Sequence, residues 1–183
     1  MFDRILVAID RSKANKYVFE EALCLAKANQ ARLFLLHVLS SEESGSPIMS
    51  LYPSVSEHHH YLHLDPAIGR MANEMYHSQW QAFEAEGLNI LRYFAEKAIT
   101  AGIRTEFSQI TGHPSSTICD FARSCRADVI VIGRRGYSRL QELILGSVSN
   151  YVIHHAPCSV LLVRTPIELE QLASASAASI TDS

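Results

Sequence analysis

A chain of 183 residues, 48% hydrophobic and 19% charged with a formal net charge of −3, has room for one domain with a sizeable core and no composition of a disordered protein. The slight negative balance excludes a general attraction to nucleic acid or to an anionic membrane surface. No apolar run approaches the ~18 residues of a membrane span, the apolar start Ile5–Ile9 is too short for a signal peptide, and four cysteines without a CxxC pair suit a reduced, cytoplasmic setting.

Phe2–Ile9 is a mostly apolar run, as expected for a strand buried on both faces. Asp10 ends it, and Ser12 is positioned to cap the helix that follows. In that helix Val18, Phe19, Ala22, Leu23 and Ala26 recur at helical spacing. Ala31–Leu39 is a second buried strand, and the order strand, helix, strand implies a right-handed crossover and a parallel pair. Ser40–His77 then breaks the rhythm. It is rich in Ser, Pro and His, without a sustained period, and longer than an ordinary loop. It reads as an insertion, residues 40–77, in a single domain spanning residues 1–165. His58, His59, His60, His63 and Asp65 within it have the side chains of a transition-metal site. No helical or strand register preorganises them, so the segment reads as a mobile, partner-facing loop or lid.

Helical spacing resumes with Trp80, Phe83, Gly87, Leu91, Phe94 and Ala98, and Gly102 closes the helix. Arg104–Thr111 is polar and alternating, as at a sheet edge. Pro114 suits the first turn of a third helix with the face Ile118, Phe121, Ala122 and Cys125. Cys24, Cys119 and Cys125 fall on helical patterns and read as small buried side chains. Val129–Ile132 is a fourth strand. A fourth helix runs from about Ser147 to His155 and is stopped by Pro157. Cys158–Arg164 is the fifth strand, and residues 166–183 dissolve into Ser and Ala as a disordered tail. Five strands alternating with helices make an α/β protein with an open, doubly wound sheet.

The most informative stretch is Asp128–Ser149, DVIVIGRRGYSRLQELILGSVS. After the strand come Gly133, two residues, Gly136, nine residues, then Gly146-Ser147 opening a helix. Glycine tolerates φ > 0, so Gly133 and Gly136 would turn backbone N–H groups into an anion-binding concavity. A helix start at Gly146-Ser147 adds free N–H groups and the positive end of its dipole. Leu140, Leu143 and Ile144 would pin the bridge between them to the body. The dinucleotide fingerprint G-x-G-x-x-G and the phosphate loop G-x-x-x-x-G-K-[ST] both fail here.

The spacing G-x2-G-x9-G-[ST] after a fourth strand resembles the universal stress protein family, specifically its members that bind ATP or AMP. The opening DRILVAID and the closing APCSVLLVR resemble that family too. The resemblance implies a Rossmann-like parallel sheet with strand order 3-2-1-4-5. Strands one and four would then meet at the switch point, where ligands bind at the carboxyl ends of strands. It further implies that Ala8 and Ile9 flank the adenosine, although some ATP-binding members carry Pro-Thr there. Asp10 would hold the ribose, or a Mg²⁺ near the phosphates, and Val38 would read adenine through its backbone. Gly133, Gly136, Gly146 and Ser147 would carry the phosphate-binding pattern, with Ile132, Val148 and Ser149 beside them; Arg134 and Arg135, inside the G-x-x-G, read either as phosphate contacts or as a solvated charged pair. The family commonly dimerises through the strand corresponding to Cys158–Arg164, a long apolar edge. No Ser/His/Asp set or paired-carboxylate signature marks a catalytic centre. The expected function is a sensor or regulator that binds adenine nucleotide and is read by a protein partner. Two alternatives stand beside it: a slow Mg²⁺-dependent ATPase, and an interaction module whose glycines are structural.

Overall fold

The computed structural model describes residues 1–43, 45–47, 66–134 and 146–164. In chain order the elements are β1 (Arg4–Ala8), α1 (Asn15–Asn29), β2 (Arg32–Leu39), α2 (Pro66–Thr100), β3 (Thr105–Thr111), α3 (Pro114–Cys125), β4 (Val129–Gly133), α4 (Ser147–His155) and β5 (Ser159–Val163). The strands form one sheet in the order β3-β2-β1-β4-β5, and every neighbouring pair is parallel. The strand alternation, the order and the polar edge position of β3 agree with the sequence reading.

The sheet is covered on both faces, which is why β1, β2 and β4 are near-continuous apolar runs. Side chains alternate across it. Ile5 and Val7 of β1, Leu33 and Leu35 of β2, and Val129 and Val131 of β4 face one way. They pack against Phe19 and Ala22 of α1 and Leu91, Phe94 and Ala98 of α2. Phe19 and Phe94 stack with ring centroids 4.5 Å apart. Leu6, Leu36, Ile130 and Ile132 face the other way, against Ile118 and Ala122 of α3 and Val152 of α4. At the amino ends of the strands, the Asp128 carboxylate accepts the backbone N–H groups of Asp3 and Arg4, both at 2.8 Å, and so ties β1 to the start of β4.

Several details differ from the sequence reading. The patternless stretch expected to last to His77 ends earlier, because α2 already begins at Pro66. At 35 residues α2 is about 50 Å long. Its first turns project beyond the packed half, with Met71 and Met75 65% and 62% exposed. A helical segment this exposed needs no apolar stripe, so no period marked it. Pro66 at the first position and helix formers such as Met71, Glu74 and Met75 were the available signs. Gly102, at φ +82°, closes α2 as expected. Ser12 is not the N-cap of α1: that position falls on Ala14, without a side-chain cap. Cys24 is exposed, contrary to the expected burial, because it lies off the stripe of Phe19, Ala22, Leu23 and Ala26. Cys119 is buried, and Cys125 is partly so. The histidine run of residues 58–63 with Asp65, and the tail from residue 165 onward, lie outside the described residues. No helix among the described residues is long and apolar enough to cross a membrane.

Candidate functional site

The carboxyl ends of β1 and β4 are neighbours at the point where the winding reverses, and Ala8, Ile9 and Asp10 lie at the first, Ile132, Gly133 and Arg134 at the second. Ala8 is the last residue of β1, and Ile9 continues its ladder by donating its N–H to the Leu36 carbonyl at 2.8 Å. Asp10 then leaves the sheet. Its Oδ1 accepts from the backbone N–H of Ser12 at 3.0 Å and from the Ser12 hydroxyl at 2.5 Å. The same hydroxyl accepts the Ala14 N–H at 3.2 Å, so Ser12 braces Asp10 and the turn before α1 rather than the helix itself. Burial pushes the Asp10 carboxyl pKa up, the two bonds from Ser12 pull it down, the nearby Glu43 carboxylate raises it and His37 lowers it, with a net rise. Oδ2 makes no hydrogen bond among the described residues.

On the β4 side, Ile132 is 6% exposed and pairs in register with Leu162, and Gly133 pairs with Val163. Gly133 was expected to hinge at φ > 0. It instead belongs to β4, outside the left-handed region, because the ladder continues one residue further: the Arg134 N–H donates to the Val163 carbonyl at 2.9 Å. Gly133 matters for closeness. A Cβ there would meet Cγ2 of Val18 at 3.3 Å, so its absence lets α1 lie against the end of β4. Gly136, with Arg135 and the bridge leucines, lies outside the described residues.

Although residues 135–145 separate them, Arg134 and Gly146 are in contact. The Gly146 N–H donates to the Arg134 carbonyl at 3.2 Å. Gly146 is the N-cap of α4 with φ −58° and ψ 152°, an extended conformation open to any residue. Ser149 is buried, and its hydroxyl lies between two carbonyl acceptors, Arg134 at 2.9 Å and Gly146 at 3.0 Å. Its side chain is thus a fastener that holds the head of α4 to the end of β4. Val148 packs into the core beside Val152. Ser147 is exposed. The first helical bond of α4 runs from the Asn150 N–H to the Gly146 carbonyl. The N–H groups of Ser147, Val148 and Ser149 therefore have no acceptor within the helix, and the positive end of the helix dipole adds to them. On the third strand of the crevice, Val38 is 8% exposed and pairs with Ile110 of β3.

Chemically, the switch point has a half-buried carboxylate on one side and a helix head rich in N–H donors on the other. That arrangement suits an anion attached to a polar, hydroxyl-bearing body. Among the described residues no group of three or more His, Cys, Asp and Glu side chains is arranged to hold a metal ion.

A model of the universal stress protein family matches residues 1–164. The chain belongs to the universal stress protein family. The match embraces both the cleft and the edge strand β5. Among relatives of this family member, universal stress protein YxiE of Bacillus subtilis is 36% identical over 90% of this chain and 100% of its own. Among solved structures, universal stress protein UspA from Lactobacillus plantarum superposes with a TM-score of 0.59 at 26% identity, over 88% of this chain and 97% of that one. A universal stress protein family protein from Arabidopsis thaliana, solved with AMP bound, has a TM-score of 0.54 at 23% identity, over 88% of this chain and 91% of that one.

Sequence reasoning missed the side chains that brace the cleft from below. Arg11 stacks its guanidinium over Phe83 of α2 at 4.2 Å and pairs with Glu86. His37, 2% exposed, joins Gln109 and Glu43. The signal for His37 was present: a histidine inside an apolar strand must find buried partners. Which residues supply them depends on strand register, and the sequence leaves that open.

Proposed function

We propose that this family member binds an adenine nucleotide, ATP or AMP, at the switch-point cleft and acts as a stress-response sensor or regulator read by a protein partner. The observation that carries the reading is the contact of Arg134 with Gly146, which sets the open N–H groups of α4 beside the end of β4, one strand from Asp10. In this reading the N–H groups of Ser147, Val148 and Ser149, the Ser147 hydroxyl, Gly136, Arg134 and the end of β4 at Ile132 and Gly133 take the phosphates. Ala8 and Ile9 flank the adenosine, Val38 presents its backbone to the base, and Oδ2 of Asp10 takes a ribose hydroxyl or a water of a phosphate-bound Mg²⁺. The AMP found in the Arabidopsis structure supports the choice of an adenine nucleotide. A second part of the proposal is a homodimer paired through β5, Cys158–Arg164, in the cytoplasm.

Calorimetric titration of the full chain with ATP and with AMP, beside thermal melts, tests the site. Wild type should bind at least one of the two. Ser147→Ala should weaken binding by about 1–2 kcal/mol, roughly 5–30-fold, with an unchanged melt, since its side chain is exposed. Ser149→Ala should lower the melting temperature, because the buried hydroxyl that fastens the head of α4 to the end of β4 is lost. A wild type that binds neither nucleotide at millimolar concentration refutes the reading.

A further inference from the structure

A buried polar chain runs beneath the nucleoside end of the cleft. Gln109 of β3 donates from Nε2 to Nδ1 of His37 at 2.9 Å, and the same nitrogen donates to the Glu84 carbonyl at 3.2 Å. That nitrogen is therefore the amide NH₂, and Nδ1 of the ring accepts. The ring proton then sits on Nε2. Nε2 donates to the carboxylate of Glu43, at 3.0 Å to Oε2 and 3.2 Å to Oε1. Oε1 of Glu43 also accepts the backbone N–H of Arg11 at 3.0 Å.

The placement of these partners is what matters. Arg11 is the residue after Asp10, and His37 is the residue before Val38. One carboxylate thus joins the carboxyl ends of β1 and β2 at the immediate neighbours of Asp10 and Val38, two of the residues assigned to the nucleoside. The surroundings hold that carboxylate still. The Glu43 N–H donates to the Ser40 carbonyl, and its own carbonyl accepts the Ser46 N–H at 3.0 Å. Its side chain is only 12% exposed. From α2, Gly87 leaves the room the ring occupies: a Cβ there would lie 2.6 Å from Nδ1 of His37 and 2.4 Å from Nε2 of Gln109.

We propose that Glu43 is a positioning residue for base recognition. By holding the Arg11 N–H and the His37 ring at once, it sets the separation of the β1 and β2 ends, so that the Val38 backbone meets the edge of adenine while Asp10 meets the ribose. This rests on the nucleotide reading above. Without the carboxylate, the His37 Nε2–H and the Arg11 N–H both lose their acceptor, and the two strand ends lose the link that extends beyond the ladder bond from Ile9 to Leu36. Base discrimination suffers first, because it depends on the position of a backbone edge, whereas the phosphates are held across the cleft by α4.

The test is titration of ATP and of GTP into the full-length wild type, Glu43→Ala and Glu43→Gln, with a thermal melt of each. Wild type should prefer ATP. Glu43→Ala should lose about 5–30-fold in ATP affinity while its GTP affinity holds, so that the preference collapses. In Glu43→Gln the amide oxygen still accepts one of the two donors, and an intermediate preference is expected. If Glu43→Ala does not fold, the partial loss in Glu43→Gln carries the test. An unchanged preference in the folded variants, an equal loss of both nucleotides, or a wild type that does not distinguish them overturns the proposal and leaves nucleotide binding standing. A wild type that binds neither ATP nor GTP overturns the proposal, and one that binds no AMP either removes the nucleotide reading with it.

Discussion

Asp10 has exchanged hydration for two hydrogen bonds from Ser12, and the exchange is unfavourable to its charge: its pKa rises above the ordinary value of 3.8, chiefly through burial. A carboxyl whose folded pKa lies above its unfolded one adds stability below the unfolded value and loses it as pH rises through the folded value. At neutral pH the ionised Asp10 therefore costs stability. Asp10→Asn keeps an acceptor oxygen for both Ser12 donors and removes the buried charge. It should melt above wild type at about pH 7, with an advantage that shrinks as the pH falls toward about 4, and it should bind ATP more weakly. Melts at the two pH values with a parallel titration measure both effects. A variant less stable than wild type at neutral pH would contradict the burial argument. Stability surrendered at a polar residue of a cleft is the usual mark of a residue kept for binding. The cysteines present the opposite case. Burial pushes the thiol pKa values of Cys119, Cys125 and Cys158 up, which leaves them protonated and unreactive.

Among the elements, α2 carries the most information. Its second half packs through Leu91, Phe94 and Ala98, whose helical spacing is plain in the sequence. Gly87 continues that spacing and would read as one more small core residue. The structure gives it a different task, since its missing side chain is filled by the His37 ring and the Gln109 amide. Gly87→Ala should gain the helix propensity of alanine, about 1 kcal/mol. It should lose more, because a Cβ at 2.4–2.7 Å from those two side chains forces them apart, and overpacking costs about 1–3 kcal/mol. A lower melting temperature and weaker ATP binding are expected together, since the displaced ring is the partner of Glu43. A variant that melts higher than wild type would show that the network yields without cost.

At the scale of the whole molecule, the two edges of the sheet are unlike. β3 is polar and alternating, with Glu106, Ser108 and Gln109. β5 carries Val160, Leu161, Leu162 and Val163, and Leu161 is 38% exposed. An apolar edge with unpaired backbone groups is a template for another strand, and a twofold axis would satisfy both copies at once. Sedimentation at micromolar concentration should give twice the 20.4 kDa chain mass, and Leu161→Lys should shift it toward the single chain without loss of fold. A wild type that sediments as a single chain would refute the dimer.

The sequence alone determined the alternation of strands and helices, the two-faced burial of β1, β2 and β4, the edge character of β3 and the start of α4 at Ser147, because each depends on local period, end signals or glycine spacing. It also supplied the family, through the spacing of Gly133, Gly136, Gly146 and Ser147. It did not show that Gly133 ends a strand rather than turning a loop, since that follows from its pairing with Val163 some thirty residues on. It did not show that Ser149 spends its hydroxyl on the Arg134 and Gly146 carbonyls. Nor did it join His37 to Glu43 and Gln109, or Arg11 to Phe83 and Glu86. Those contacts come from strand register and from the seating of α2 on the sheet. A polar side chain announces that it needs a partner, but only the packed structure decides which one lies within reach.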